Sequence, residues 1–233
     1  MIPLRDANPT RRTPIVTLAL IAACTAVFAL ELSVEASAGE AALASFFDTW
    51  GAVPSRISAA LAGTGDGGPA ATGVLASLFL HGGWEHLIGN MLFLWIFGNN
   101  VEDRLGRLPF LVFYLLGGIA AALAQVWIEP ASDIPLVGAS GAIAATLGAY
   151  IVLYPQARIL TFVFLVFFYQ LIEVPAVVVL AFWFVLQLID GVATLGAQTA
   201  GGGVAFFAHI GGFVAGALVG VVVRATSTRR PMG

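Results

Sequence analysis

The sequence predicts an all-α membrane protein: a bundle of six transmembrane helices with a short central fourth helix and a long membrane-associated first loop. Three observations predict it. Of 233 residues, 59% are hydrophobic and only 10% charged, where soluble domains carry roughly 25% charged residues. The apolar residues fall into six runs, separated by segments that hold nearly all the charges, prolines and glycine clusters. Threading those runs through a bilayer sorts the arginines to one side. The mean hydropathy is +0.95, so the expected surroundings are a lipid bilayer. All ten basic residues are Arg against thirteen acids, for a formal charge of −3, and no basic block points to nucleic acid. The single cysteine, Cys24, lies in an apolar run. It can form neither an intrachain disulfide nor a metal cluster, and reads as packing.

A spanning helix needs about 20 apolar residues at ~1.5 Å each. The first run, 14–33, is expected to be a retained helix, because it has spanning length and no small-residue cleavage site after a short core. Residues 1–13 precede it as a cytoplasmic tail. The connection 34–83 carries Glu35, Glu40, Asp48, Asp66 and the Gly-rich stretch from Gly63 to Gly68, with short apolar pieces suited to the interface. The remaining spans are expected at 84–101, 108–128, 139–154, 175–191 and 204–224. The membrane domain is thus 14–224, with 225–233 a second cytoplasmic tail. Ile159 to Asp190 has length for one long tilted helix or two short elements, and Glu173-Val174-Pro175 interrupts it. An extra span at 159–172 would reverse the last helix and put Arg224, Arg229 and Arg230 outside. Residues 159–173 are therefore expected along the cytoplasmic interface, with Pro175 opening the fifth span.

The positive-inside rule supports the count of six. With the N-terminus cytoplasmic, Arg5, Arg11, Arg12, Arg104, Arg107, Arg158, Arg224, Arg229 and Arg230 fall inside, leaving only Arg56 outside. A multi-pass protein of a prokaryotic plasma (inner) membrane, with both termini cytoplasmic, is the expected address.

Polar side chains within spans are costly, and each is a functional hypothesis. His86 and Asn90, four apart, share one face near the start of span two. Ser140 opens span four and His209 lies in span six. Spans two, four and six run in the same direction. Counting back from Glu102, Pro155 and Arg224 puts His86, Ser140 and His209 each ~22–24 Å above the cytoplasmic boundary. That common plane is roughly 6–8 Å below the outer surface of a ~30 Å core, so the site is expected to open to the extracytoplasmic side.

Span four is too short to cross alone, so the preceding Glu129-Pro130…Pro135…Gly138 segment must dip inward, where irregular backbone is tolerated only beside protein or water. The dip puts Ser140 at a helix N-terminus, whose free N–H groups can stabilise an oxyanion. Gly212 and Gly216 have the small-xxx-small spacing that lets membrane helices touch, with Gly141, Ala145 and Gly148 as the matching face. Such contact brings His209 near Ser140, where it can act as base and then acid in serine hydrolysis. No carboxylate is expected at that depth, so the pair is a dyad, with His86 and Asn90 free to serve as oxyanion donors. Each part alone has an ordinary reading. Gly-x-Ser-Gly is more often packing than chemistry, and a lone intramembrane His is as often structural or a proton-relay member. His86 with Asn90 could tie loop to helix, and His81 reads as loop structure. Gly201 to Gly203 read as a connector or a mobile cap, and Phe182, Trp183 and Phe184 as lipid-facing anchors or a side entrance for a substrate helix.

His81-Gly82-Gly83-Trp84-Glu85-His86-Leu87-Ile88-Gly89-Asn90, Gly138-Ala139-Ser140-Gly141 and Ala208-His209-Ile210-Gly211-Gly212 resemble, in order and spacing, the signature segments of rhomboid intramembrane proteases. Glu102-Asp103-Arg104-Leu105-Gly106 resembles that family too, and the resemblance runs from about Leu80 to Arg224. It implies six helices and a Ser140–His209 dyad. The implied oxyanion site is made by His86, Asn90 and the backbone N–H groups of Gly138 and Ala139. It also implies cleavage of membrane-anchored proteins at or near their transmembrane segments without metal or cofactor. Two positions depart from the pattern: Ala144 stands where some members carry a Tyr that packs on the histidine, and no Trp-Arg pair is present in the first loop. The competing classes are a non-catalytic rhomboid-like protein that holds client helices and a small transporter using the His and Ser as a relay. Intact Ser140 and His209 weigh against the first, and the want of paired acids or an inverted repeat against the second.

Overall fold

The computed structural model describes residues 1–165, 168–194 and 205–227. The expected connector at Gly201 to Gly203, and Arg229 and Arg230, lie outside the described residues. Helix α1 (Ile15–Ala38) is followed by three short helices of the first loop, α2 (Glu40–Trp50), α3 (Pro54–Leu61) and α4 (Gly67–Ser77). Next come α5 (Trp84–Phe93), a π-helical turn at Leu94–Gly98 and α6 (Asn99–Leu105) in one continuous run. Then follow α7 (Arg107–Ile128), α8 (Ser140–Leu153), α9 (Ala176–Thr194) and α10 (Phe206–Ser227). Among the described residues, Ile15–Ala38, Arg107–Ile128 and Phe206–Thr226 are long and apolar enough to cross a membrane. Ser140–Leu153 and Ala176–Gln187 are shorter apolar helices.

The all-α expectation is corrected by a three-stranded antiparallel sheet of β1 (Ile2–Asp6), β2 (Arg158–Leu165) and β3 (Phe168–Pro175), with β2 central. Arg158 pairs with Pro175 and Leu165 with Phe168, while Ile2 pairs with Phe162 and Asp6 with Ile159. Pro175 therefore closes β3 instead of opening the fifth helix, which starts one residue later. The reason is local: Ile159, Thr161, Val163, Ile172 and Val174 are β-branched among aromatics, a composition that fits a pleated half-buried surface. Ala157, Ile159 and Thr161 are buried with exposed Arg158 between them, the period-two pattern of a strand. The first residues are accordingly not all free tail, since β1 is an edge strand of this sheet. Its end is held by Asp6, whose carboxylate accepts hydrogen bonds from the Tyr150 hydroxyl, Asn100 Nδ2 and the Asn8 N–H. Burial pushes the Asp6 carboxyl up, against the pull of the Tyr150 and Asn8 hydrogen bonds.

Helix α8 is the centre of the molecule, buried continuously from Gly141 to Tyr150. Its contacts with α7 and α10 are close because glycines line them. A Cβ on Gly117 of α7 would stand 2.5 Å from the Ala145 Cβ. On α10, Cβ atoms at Gly212 and Gly216 would overlap the carbonyl oxygens of Gly141 and Ala145, and one on Gly148 would overlap the Phe213 carbonyl. In lipid, such close backbone packing supplies the attraction that water would otherwise provide. Helix α1 is tied in at its first turn by Glu102 of α6, which accepts the Val16 N–H at 3.0 Å and the Thr17 N–H and hydroxyl at 2.8 Å each. The carboxylate thus satisfies donors that a helix start leaves unpaired.

Candidate active site

The chain reaches Ser140 through an irregular descent, 129–139, whose backbone is strapped to the first loop. Ala52 and Leu136 exchange N–H···O bonds at 3.0 and 2.9 Å, the Ser55 N–H donates to the Ser132 carbonyl, and the Gly138 N–H donates to the Ser77 carbonyl at 2.9 Å. The first loop thus provides the backbone partners that this non-helical segment requires. The descent ends at Gly138, with φ of +125°, a region that favours glycine. A Cβ there would also lie 2.6 Å from His86 Nε2 and 3.5 Å from Ser140 Oγ. The bare Gly138 backbone is what lets His86 and Ser140 face a common gap.

Ser140 is the first residue of α8, so its N–H and those of Gly141 and Ala142 have no carbonyl one turn back within the helix. Across the α8–α10 contact, His209 Nε2 is 2.7 Å from Ser140 Oγ. His209 is 3% exposed, and among the described residues its Nδ1 has no hydrogen-bond partner. The first turn of α10 is held by Gln125 of α7, whose Oε1 accepts the Ala208 N–H at 3.1 Å while its Nε2 donates to Glu129 at 3.0 Å. The Trp183 ring lies 5.3 Å from the His209 ring at 53°.

On the α5 side, His86 Nδ1 accepts the Gly82 N–H at 3.3 Å. That bond requires a bare Nδ1 and places the neutral ring's proton on Nε2, the nitrogen nearer Gly138. Asn90 follows one turn along, 8% exposed, with no partner for its Nδ2 among the described residues. His81 Nδ1 lies 3.1 Å from the Phe79 carbonyl, and its ring sits 5.2 Å from that of His86. Its backbone N–H donates to Glu31 of α1 at 3.1 Å. Burial, with the His86 ring beside it, pushes the His81 imidazole down to about 4.

The structure therefore groups Ser140 with His209 and, across the Gly138 gap, His86; Gly141, Gly212 and Gly216 lie in the α8–α10 contact beneath them. One expected oxyanion donor is otherwise engaged: the Gly138 amide is committed to Ser77. Ala139 is fully buried at the N-cap of α8. Glu31 and Gln125 join the surroundings of the site only in the structure. Glu31 is an acid within the first apolar run, so the rule for ionisable residues in spans would have found it. Gln125 is uncharged, and a search for ionisable groups does not reach it.

Comparison with known proteins places these residues in context. A family model described as the Rhomboid domain matches residues 70–226. Rhomboid protein 1, mitochondrial, of Saccharomyces cerevisiae is 38% identical over 95 residues, 39% of this chain and 28% of that protein. Rhomboid protease GluP of Bacillus subtilis is 34% identical over 148 residues, 64% of this chain and 26% of its own length. Putative rhomboid protease YdcA of the same organism is 35% identical over 78 residues, covering 34% of this chain and 39% of that one. The chain thus spans less than half the length of each of these three relatives.

Proposed function

The chain belongs to the rhomboid family, and we propose from the Ser140–His209 pair that it is an intramembrane serine endopeptidase. It cleaves membrane-anchored proteins in or near their transmembrane segments. Family membership and its apolar helices make it a membrane protein; the observation that supports catalysis is the 2.7 Å approach of His209 Nε2 to Ser140 Oγ, within the reach a nucleophile and its base require.

In this reading the His209 imidazole is neutral with its proton on Nδ1, so that Nε2 accepts the Ser140 O–H. Oγ attacks the carbonyl carbon of the scissile bond as Nε2 takes the proton. The tetrahedral oxyanion is met by His86 Nε2–H, Asn90 Nδ2 and the N–H groups of Ala139 and Ser140. The His209 imidazolium then protonates the leaving amine, giving an acyl-enzyme on Ser140 that water hydrolyses by the same steps. The charge-bearing intermediate is stabilised by donors already in place, which avoids reorganisation during reaction.

We place the chain as a six-span, multi-pass protein of the plasma membrane. The spans are α1, the α5–α6 run, α7, α8 with its descending segment, α9 and α10. Both termini are cytoplasmic and the site opens to the opposite face, as the arginine distribution favours. The test uses the purified full chain in liposomes with a fluorescent membrane-anchored substrate, comparing it with Ser140→Ala and His209→Ala. Loss of cleavage in both variants is expected; cleavage surviving in both rejects the proposal.

A further inference from the structure

The His209 ring lacks two kinds of support. Nδ1 has no hydrogen-bond partner among the described residues, so none of their acids or carbonyls sets the ring's rotation as a third member does in a triad. One turn along α8 from Ser140, Ala144 brings only a methyl group and is itself fully buried. A base held by a single hydrogen bond to its nucleophile can rotate about its terminal torsion, which is soft for imidazole.

Trp183, from α9, lies where that freedom would be exercised. Its ring centroid is 5.3 Å from that of His209, inclined by 53°, within the range of favourable aromatic pairs. Trp183 is itself wedged: Phe93 of α5 lies 5.9 Å away and Phe184 4.9 Å away edge-on, with Phe184 in turn edge-on to Phe213 of α10 at 5.0 Å. The indole is thus braced directly from α5 and, through Phe184 of its own helix, from α10 while it lies against the imidazole.

We propose that Trp183 is the positioning residue of the catalytic base, holding the His209 ring in the plane that points Nε2 at Ser140. This rests on the hydrolase reading above and deepens it. The indole touches neither substrate nor reacting atom in this role; it acts by limiting the orientations of His209. Misplacement of a reacting group by about 1 Å can cost on the order of 100-fold in rate.

The test separates this role from that of a door between α5 and α9. A small water-soluble fluorophosphonate reaches Ser140 without a transmembrane helix having to enter. Ser140 Oγ bonds to its phosphorus, fluoride leaves and His209 takes the hydroxyl proton, so the labelling rate reports the dyad alone. The full-length chain in detergent is labelled as wild type, Trp183→Phe, Trp183→Met and Trp183→Leu, with Ser140→Ala as the blank and melting temperature recorded for each.

Labelling is expected to stay within about threefold of wild type for Trp183→Phe and to fall about 10–100-fold for Trp183→Leu and Trp183→Met. Equal labelling of folded Trp183→Leu and wild type overturns the inference, whether or not cleavage of a membrane-anchored substrate speeds up. Should Trp183→Leu not fold, Trp183→Phe against Trp183→Met decides, and equal rates for those two overturn it. Wild type that is not labelled at Ser140 overturns the hydrolase reading itself, and this inference with it.

Discussion

Gln125 accepts the N–H of Ala208 at 3.1 Å, so a polar side chain in the last turn of the apolar helix α7 caps the start of α10 one residue before His209. Replacing it by leucine leaves that N–H without its partner in an apolar setting. Gln125→Leu is expected to cost about 1–2 kcal/mol of stability and to slow cleavage by loosening the turn that carries the base. Thermal unfolding and turnover measured on one preparation check this; a variant matching wild type in both removes Gln125 from the site's support.

Asn90 provides a case in which stability and activity should part. Its buried Nδ2 has no partner among the described residues, so Asn90→Leu gives up no internal hydrogen bond of that atom. Turnover should nevertheless fall roughly 10–1,000-fold if the amide donates to the oxyanion, with the melting temperature held or raised. Undiminished turnover assigns Asn90 to a structural role.

The α8–α10 contact predicts a contrast between two glycines. A Cβ at Gly216 would overlap the Ala145 backbone carbonyl, whereas nothing lies within 4 Å of a Cβ at Gly89. Gly216→Ala must push two helices apart and should lose at least ~1–3 kcal/mol together with cleavage. Gly89→Ala should be neutral or stabilising by up to about 1 kcal/mol through helix propensity. Circular dichroism melts read both, and equal melts would place the close approach elsewhere.

His81 gives a pH dependence with a definite sign. Burial holds its imidazole at about 4, below the ordinary value of 6.5, so the unfolded chain binds the proton more readily than the folded one. This contribution to stability is present above pH ~6.5 and is lost as pH falls toward 4. His81→Phe should flatten that part of the profile in a pH series of melting temperatures. A variant that keeps the wild-type slope between pH 6.5 and 4 assigns the titration to another group.

The long apolar helices were legible because their signal is local, whereas the three short helices within 34–83 were not. The run 108–128 read from hydropathy corresponds to α7, Arg107–Ile128, and 139–154 to α8, Ser140–Leu153. The sheet was harder to see. The β-branched and aromatic alternation of 159–174 is present, but it lies inside an apolar stretch in which span length and charge parity are the stronger signals. The pairing of β1 with β2 joins residues more than 150 positions apart, such as Ile2 and Phe162. No periodicity reports that kind of contact.

The site divides in the same way. Counting residues along helices put Ser140, His209 and His86 at one depth, since helix rise is constant. The engagement of the Gly138 amide with Ser77, the cap from Gln125 and the placement of Trp183 against His209 depend on which helix faces which and how closely. By itself, the sequence determined an apolar helical chain of recognisable family with its polar residues at marked positions, because hydropathy and spacing are properties of consecutive residues. Only the tertiary structure decided which of them meet. Hydrogen-bond distances across helices are set by the approach of backbones, and that approach is set by where side chains are missing on both partners at once.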